Sequence, residues 1–359
     1  MMIDWVQVII PYMHSTPING GNVLSIKPNG ELDWKVEKRL QVFGSHDSRI
    51  QIRSEHKDFT CSHIRLDGNP VKWFQGHNVW GSCDLLGLVF SCFSSILPQV
   101  LSAHEVRSLD YLWFTCLQGR LTRLDLTNMY DLGNSQRVLA WIRAASDSAN
   151  LKSRGKGQFS GDTLYWGKNS RRWSLKMYSK GLELHAHKPK HSDPSHPQCL
   201  ESVTNFADPA LRVELVLRAM ELAKLGISRV QDCNESFLDD VYTSYLSGLE
   251  FSQNMKAVAE IKDLEKLPLR LRSAVLLWSE GHDLREFYSR AQWYRHRKEI
   301  MKIIALDISL PCPAAISQAS NVIPMFTVLE AKPLDVPKWA YGTPLYFEPP
   351  ARPKLVRVI

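Results

Sequence analysis

The chain has 359 residues, 44% of them hydrophobic, with 44 Lys and Arg against 37 Asp and Glu for a net charge of +7; this is globular usage, long enough for two domains and a sizeable core. Its seven scattered cysteines include no Cys-x-x-Cys pair, which argues against a zinc module and for reduced thiols in a cytoplasmic protein. No basic start leads into an apolar signal core, the longest apolar run (Leu85 to Leu101) is too short and too interrupted to span a bilayer, and no P-loop is present, so export, membrane insertion and ATP-driven helicase activity are not expected.

Residues 1 to 75 read as short strands between Gly and Asn turns: Trp5 to Ile10, Val23 to Lys27, Arg39 to Phe43, Ile50 to Arg53 and Ser62 to Leu66. Trp73 and Phe74 read as an aromatic strand end before the loop Gln75-Gly76-His77-Asn78, where Gly76 and Gly81 permit backbone shapes that bring side chains close to a ligand. His77 suits two uses there, a structural residue bonding a turn carbonyl or a contact to metal or DNA. A buried helix is predicted over Asp84 to Val100, and another over Ser135 to Ser148 from an Asn134 or Ser135 cap. Between them Arg120 to Thr127 alternates, with Leu124 and Leu126 on one face and Arg123, Asp125 and Thr127 on the other.

A Gly-rich loop, Gly155 to Gly161, leads to a strand at Leu164 and then to Ser174-Leu-Lys-Met-Tyr178-Ser-Lys180-Gly-Leu-Glu183. With period two, Trp173, Leu175 and Met177 point one way and Lys176, Tyr178 and Lys180 the other, which displays a phenol between two ammonium groups. Cations acidify a phenol, and such a phenol can attack a phosphodiester while the lysines hold the phosphate. A bulge at Gly181 would return Glu183 to the same side. Residues 151 to 190 carry ten Lys or Arg against only Asp162 and Glu183, so the basic excess surrounds the candidate nucleophile, where a polyphosphate would lie. Tyr165, Trp166 and Trp173 are interleaved with it and suit base stacking or core packing. His185 to Pro197 reads as a loop beside this face. Leu211 to Leu217 is a third alternating strand with Arg212 and Glu214 on its polar side. If the three strands share a sheet, Asp125 and Glu214, with Glu183, gather the oxygen ligands that Mg2+ (or Mn2+) takes, and Arg123 and Arg212 contact phosphate or brace those acids.

Taken in order, Met2-Ile-Asp, Val71-Lys-Trp-Phe-Gln75-Gly76-His77-Asn78-Val-Trp-Gly81, Arg123-Leu-Asp125, Thr163-Leu-Tyr-Trp166 with Ser170-Arg171, Tyr178-x-Lys180-x-x-Glu183 and Arg212-Val-Glu214 resemble the gene II replication initiators of filamentous bacteriophages (the gene II/X family). Those in turn are similar to the rolling-circle initiators of plasmids. The resemblance runs over roughly residues 2 to 230, with a weaker echo in Trp293-Tyr-Arg295-His-Arg297-Lys298. It implies an α+β fold, an antiparallel sheet with helices on one face, followed by a helical domain. It also implies a site-specific endonuclease and strand transferase that nicks one strand of a duplex origin and later rejoins the displaced single strand. Tyr178 would take the 5′ phosphate with Lys180 assisting, Asp125, Glu214 and Glu183 would hold the metal, and a host polymerase and helicase would extend and open the DNA. Arg123, Arg212, Gln75, His77, Asn78, Arg171, Arg172 and Lys176 would contact DNA. The paired-histidine metal motif of related initiators is missing at its expected place; His185-Ala-His187 has the spacing but follows the tyrosine, which favours acidic ligands. The alternative is a non-catalytic origin- or single-strand-binding protein that uses the same basic sheet.

Residues 234 to 305 read as helix, over Glu235 to Leu249, Gln253 to Leu264, Leu269 to Glu280 and Asp283 to Ile304. Arg295, Arg297 and Lys298 form a basic surface at helical spacing, compatible with a helix-turn-helix whose last helix enters a major groove, or with plain antiparallel helix packing. The proline-rich residues 306 to 359 read as an extended tail, compatible with packing along the body. The expected division is therefore 1–230, 234–305 and 306–359.

Overall fold

The computed structural model describes residues 1–57, 60–152, 154–187, 196–197, 200–251, 267–279, 282–304, 308–309 and 333–350. Strand β1 (Met2–His14) is followed by β2 (Asn22–Ile26), β3 (Leu32–Glu37), β4 (Leu40–Phe43), β5 (Arg49–Lys57) and β6 (Thr60–Gly68). Helices α1 (Pro70–Gln75), α2 (Leu85–Val100) and α3 (Leu109–Leu117) lead to β7 (Arg120–Asp131). After α4 (Ser135–Ser148) come β8 (Ala149–Leu151), β9 (Gly155–Lys156), β10 (Gln158–Ser160), β11 (Thr163–Trp166) and β12 (Trp173–Ser179). Then follow α5 (Lys180–Ala186), α6 (Glu201–Ala207), β13 (Ala210–Arg218), α7 (Ala219–Lys224), α8 (Glu235–Leu246), β14 (Leu249–Phe251), α9 (Leu269–Ser279), α10 (Leu284–Phe287) and α11 (Arg290–Ile304).

Nine strands form one antiparallel sheet in the order β10-β11-β12-β13-β7-β1-β6-β5-β4, so the chain has the α+β architecture that the resemblance implies. Alternation decides which face is which. Leu211, Val213, Leu215 and Leu217 of β13 and Leu124 and Leu126 of β7 join one core with Leu88, Phe93 and Ile96 of α2, Val138 and Ile142 of α4, and Val241 and Tyr242 of α8. Each such side chain contributes about 1.5–3 kcal/mol by leaving water, which fixes strand register, because a one-residue slip would turn the whole set outward. Among the described residues no helix is long and apolar enough to cross a membrane.

Three expectations change at element ends. Trp73 and Phe74 lie in helix α1, not at a strand end: Asn69 Oδ1 accepts from Lys72 N at 2.8 Å, Pro70 opens the helix, and Gly76 at φ +80° closes it. Strand β12 stops at Ser179, whose hydroxyl caps α5, so Gly181 sits in a helix and not in a bulge. A Cβ there would lie 2.7 Å from Asp208 Cα, which explains the glycine. The single helix expected over Asp283 to Ile304 is two, because Ser289 and Gln292 bond reciprocally (Ser289 N to Gln292 Oε1, 3.2 Å; Gln292 N to Ser289 Oγ, 3.3 Å) and restart the chain as a capping box. Helices α9 to α11 enclose a small core of Leu271, Val275, Trp278, Leu284, Trp293 and Ile300. The expected helix Gln253 to Leu264 and most of the proline-rich tail lie outside the described residues.

Residues 333–350 of that tail do pack on the body. Phe347 stacks on Phe74 at 3.8 Å, Trp339 meets Trp80 edge-on at 5.2 Å, and Leu334 N donates to Met129 O at 2.8 Å.

Candidate active site

Strand register does the assembling. Lys176 stands opposite Glu214 and Tyr178 opposite Arg212 across β12 and β13, while Glu214 stands opposite Thr127 of β7. Directly opposed residues share a face. Lys176, Tyr178, Arg212 and Glu214 therefore project on the side away from the helices, together with Arg123 and Asp125. One more acid arrives from β1. Its pairing with β7 shifts between Ile3 and Trp5, which leaves Asp4 as the extra residue of a bulge. The buried Asp4 carboxylate accepts from Asn69 Nδ2 at 2.7 Å and Asn78 Nδ2 at 2.8 Å, and lies 2.8 Å from Arg212 Nη2.

The Tyr178 hydroxyl donates to Glu214 Oε1. Arg212 Nε donates to the same oxygen at 2.8 Å, and Lys176 pairs with Glu214 Oε2. Burial alone would raise the Glu214 pKa, but the Lys176 and Arg212 cations overcome it and hold the carboxyl at about 2. Burial also pushes the Tyr178 phenol well above its ordinary 10, against a smaller pull from Arg212. The acidified phenol expected from the sequence is thus a protonated one, because Lys176 is engaged with Glu214 and Lys180 has turned into α5. Arg212 and Glu214 are fully buried. From this position Arg212 braces acids and does not reach a solvent-side phosphate; its Nη1 also donates to Asn78 O.

Lys180, also fully buried, bonds Asn78 Oδ1 at 2.8 Å and Glu183 Oε2 at 2.6 Å. Helix α5, through an i to i+3 contact, brings Glu183 to a cavity of about 380 Å3 that it lines with Tyr178, Lys176, Tyr165 and Asp162. Burial, then Arg212, lowers the Lys180 pKa to about 8 from 10.5. Between those values the unfolded chain binds more protons, so stability from this site rises with pH. The unfolding free energy of wild type minus that of Lys180→Met should accordingly increase between about pH 7.5 and pH 9.5 in urea titrations; a pH-independent difference would contradict the buried charge.

Asp125 is held by its strand neighbour Arg123 through two bonds of 2.8 and 2.6 Å, and burial raises its pKa to about 6 despite that guanidinium. Arg123 in turn lies 5.1 Å from the Trp5 ring. The Arg-x-acid spacing has a direct consequence: residues two apart on a strand share a face, so each acid is engaged by a cation before any ion arrives. Asp125 has Arg123, Glu214 has Arg212 and Lys176, and Glu183 has Lys180. Among the described residues no group of three or more His, Cys, Asp or Glu is gathered as a metal requires. The Asp125, Glu214 and Glu183 set expected for Mg2+ (or Mn2+) is not assembled in this arrangement.

Of the loop residues expected to touch DNA, Asn78 reaches the site, whereas Gln75 and His77 are buried. His77 Nδ1 accepts from Val79 N at 3.3 Å, so the proton sits on Nε2, which donates to Leu345 O at 3.0 Å. Burial lowers its pKa to about 3, keeping it neutral. Gln75 donates to Trp80 O at 2.8 Å and accepts from Phe347 N at 2.9 Å. Residues 333–350 thereby stiffen the loop that carries Asn78. A chain ended at Lys332 should lose roughly 3 kcal/mol or more in urea unfolding, from partly buried aromatics and Leu345 worth about 1.5–3 kcal/mol each when fully buried; an unchanged midpoint would contradict the strap. Arg171 and Arg172 are exposed just before β12, and Arg295 and Lys298 are exposed on α11, with Arg297 half-buried 5.9 Å from the Trp293 ring. Asp4 joins the site from outside the alternating strand patterns that mark the other residues. Its signal is a lone carboxylate in an apolar central strand, which needs buried partners.

A sequence profile for the N-terminal part of the phage replication-associated protein, the gene II product, matches residues 2–236, and the profile for the C-terminal part of the same protein matches residues 266–346. The replication-associated protein of Enterobacteria phage I2-2 is 34% identical over 338 residues, spanning 94% of this chain and 95% of that protein. The replication-associated protein of Salmonella phage IKe is 26% identical over 184 residues, 46% of this chain and 41% of that one.

Proposed function

The chain belongs to the gene II family of phage replication-associated proteins, and from that premise we propose that it is a replication initiator that nicks one strand of duplex origin DNA by transesterification onto Tyr178 and later rejoins the displaced strand. The observation that carries this reading is the Tyr178 hydroxyl bonded to a carboxylate that two cations clamp, beside a cavity with Lys176 on its wall. In the step, the Tyr178 Oη–P bond forms as the P–O3′ bond breaks, the phenolic proton passes along its existing hydrogen bond to Glu214 Oε1, which releases it to solvent, and the departing 3′ oxygen takes a proton from a solvent water to become the 3′ hydroxyl. With burial holding the proton on the phenol and the Lys176 and Arg212 cations keeping Glu214 ionised, that transfer does not occur at rest. It becomes favourable only as bonding to phosphorus removes the basicity of the phenolic oxygen, so the nucleophile stays silent until DNA is seated. Lys176, which lines the same cavity, would meet the charge developing on the phosphoryl oxygens. The phosphotyrosine keeps the phosphodiester energy, so the 3′ hydroxyl can attack it later without a nucleotide cofactor.

Arg123, Lys176, Asn78, Arg171 and Arg172 are the proposed DNA contacts of the sheet, and Arg295, Arg297 and Lys298 those of α11, which would recognise the origin. A host polymerase would extend the free 3′ end while a host helicase opens the duplex. The test is conversion of a supercoiled plasmid carrying the cognate origin to open circles, assayed with and without Mg2+ or Mn2+. Nicking at one strand position is the expected result; tight origin binding with no nick under any of these conditions would instead favour a non-catalytic binding protein.

A further inference from the structure

The sheet face that carries Tyr178 has a second basic feature, at the other end of β7. Ile9 of β1 shares this face, because Gln7, two residues before it, stands opposite Arg123. In one row across the strands, Ile9 stands opposite Arg120 of β7 on one side and Arg65 of β6 on the other. Arg120 is paired in turn with Arg229 through an isolated bridge, and Arg65 stands opposite Arg53 of β5. Four of the five positions in this row, about 19 Å long at 4.7–4.9 Å per strand, are therefore arginine. Like charges directly opposite one another destabilise a sheet, and the row holds two such pairs. Arg53 and Arg65 share a single carboxylate, Glu55, whose Oε1 lies 2.9 Å from Arg53 Nη2 and 2.5 Å from Arg65 Nε. Arg120 and Arg229 are exposed, and among the described residues neither forms an ion pair. Arg229 donates to the neutral Gln118 Oε1 at 2.8 Å, while Asp232, three residues on, accepts from the Ser228 and Arg229 amides at 3.0 and 2.7 Å. Within the row, four guanidiniums thus face one acid, a concentration of like charge that a polyanion would relieve.

We infer that this arginine row anchors the sugar-phosphate backbone of duplex DNA, apart from the place where the strand is cut. The inference rests on the reading of the chain as an initiator that engages origin duplex, and is independent of which side chain cuts it. A guanidinium presents a planar fork of donors that fits phosphate oxygens. Arg120 and Arg229 line a groove of about 560 Å3 with Pro11, Glu55 and His63, which leaves both unpaired guanidiniums open to a ligand. No Phe, Tyr or Trp lines that groove, whereas sites for unpaired strands alternate cations with rings on which bases stack; the chemistry therefore favours a duplex met through its phosphates. Arg212 stands opposite Tyr178 and Met129 opposite Arg212, and Arg120 lies nine residues before Met129 on β7, roughly 30 Å at 3.3–3.4 Å per residue. The phosphates met by the row are accordingly not those at the cut.

Binding of the uncleaving Tyr178→Phe protein to origin duplex, measured over a range of salt concentrations, tests this. Adding Arg120→Gln and Arg229→Gln together should flatten the log-log slope by about two, at about 0.9 per phosphate contact, and either alone by about one. In urea the double variant should unfold at the same midpoint as the parent or a higher one, since a directly opposed like-charge pair has been removed. A merely structural pair of arginines would do the reverse, lowering the midpoint and leaving the slope alone. Ethylation interference should lose a discrete set of phosphates in the double variant, while those flanking the cut continue to interfere. An unchanged slope, an interference pattern identical in parent and variant, or flattening seen only with single-stranded DNA would overturn the anchoring site. Failure of the nicking reading looks different: duplex would be bound with the variant-sensitive slope yet never cut by wild type, or cut by the Tyr178→Phe protein as fast as by wild type.

Discussion

Tyr178→Phe is expected to lower nicking by about four orders of magnitude or more, the scale of loss when a covalent nucleophile is removed, while affinity for origin duplex stays within a few fold. The two effects separate because of how the hydroxyl is held. The ring keeps its place on β12, and Glu214 keeps both Arg212 and Lys176 when the phenolic donor is gone. One lost hydrogen bond costs about 1 kcal/mol, too little to unfold the domain. Single-turnover nicking, paired with a thermal melt of the same preparation, reads both quantities. Tyr165 provides the internal control: it lines the same cavity with Lys168 5.4 Å from its ring, and Tyr165→Phe should nick at close to the wild-type rate.

Arg212→Met should be the most destabilising single change in the site, by about 3–5 kcal/mol in urea unfolding. Arg212 is the common cation of two buried carboxylates that come from distant parts of the sequence, Asp4 and Glu214. Without it, Asp4 keeps the amides of Asn69 and Asn78, and Glu214 keeps Lys176 and the phenol. The penalty is that of leaving charge in a low-dielectric interior and not the worth of any one bond. A triple variant that also carries Asp4→Asn and Glu214→Gln should recover much of the stability and none of the nicking, which divides the architectural role of the arginine from the chemical role of the acid it holds. Stability of Arg212→Met within about 1 kcal/mol of wild type would show that the three groups are not coupled as described.

What the sequence could disclose follows from the range of the signal. The face shared by Arg123, Asp125, Arg212, Glu214 and Tyr178 is written in a period of two along three strands, and that local pattern, tied to burial of Leu124, Leu126 and Leu211 to Leu217, survives folding intact. Asp4 escapes such a reading because its orientation depends on a bulge against β7, a partner more than a hundred residues away. Glu183 reaches the cavity by a helical turn from Ser179, where strand periodicity suggests a glycine bulge. Alternation points to the acids as metal ligands because it shows which side chains share a face but not which of them bond one another first; at Arg-x-acid spacing the neighbour is already in place. His77 is ambiguous in the sequence for a related reason. Its partner, the carbonyl of Leu345, lies 268 residues further on, and no pattern around Gln75-Gly76-His77-Asn78 encodes it.

The proposed chemistry leaves a physical trace in its intermediate. A single-stranded oligonucleotide spanning the mapped nick, incubated with the protein, denatured, digested with trypsin and analysed by mass spectrometry, should yield DNA joined through its 5′ phosphate to the peptide that contains Tyr178. Cleaved DNA with a free 5′ phosphate and no attached peptide, or an adduct on another residue such as Tyr165, would contradict the account.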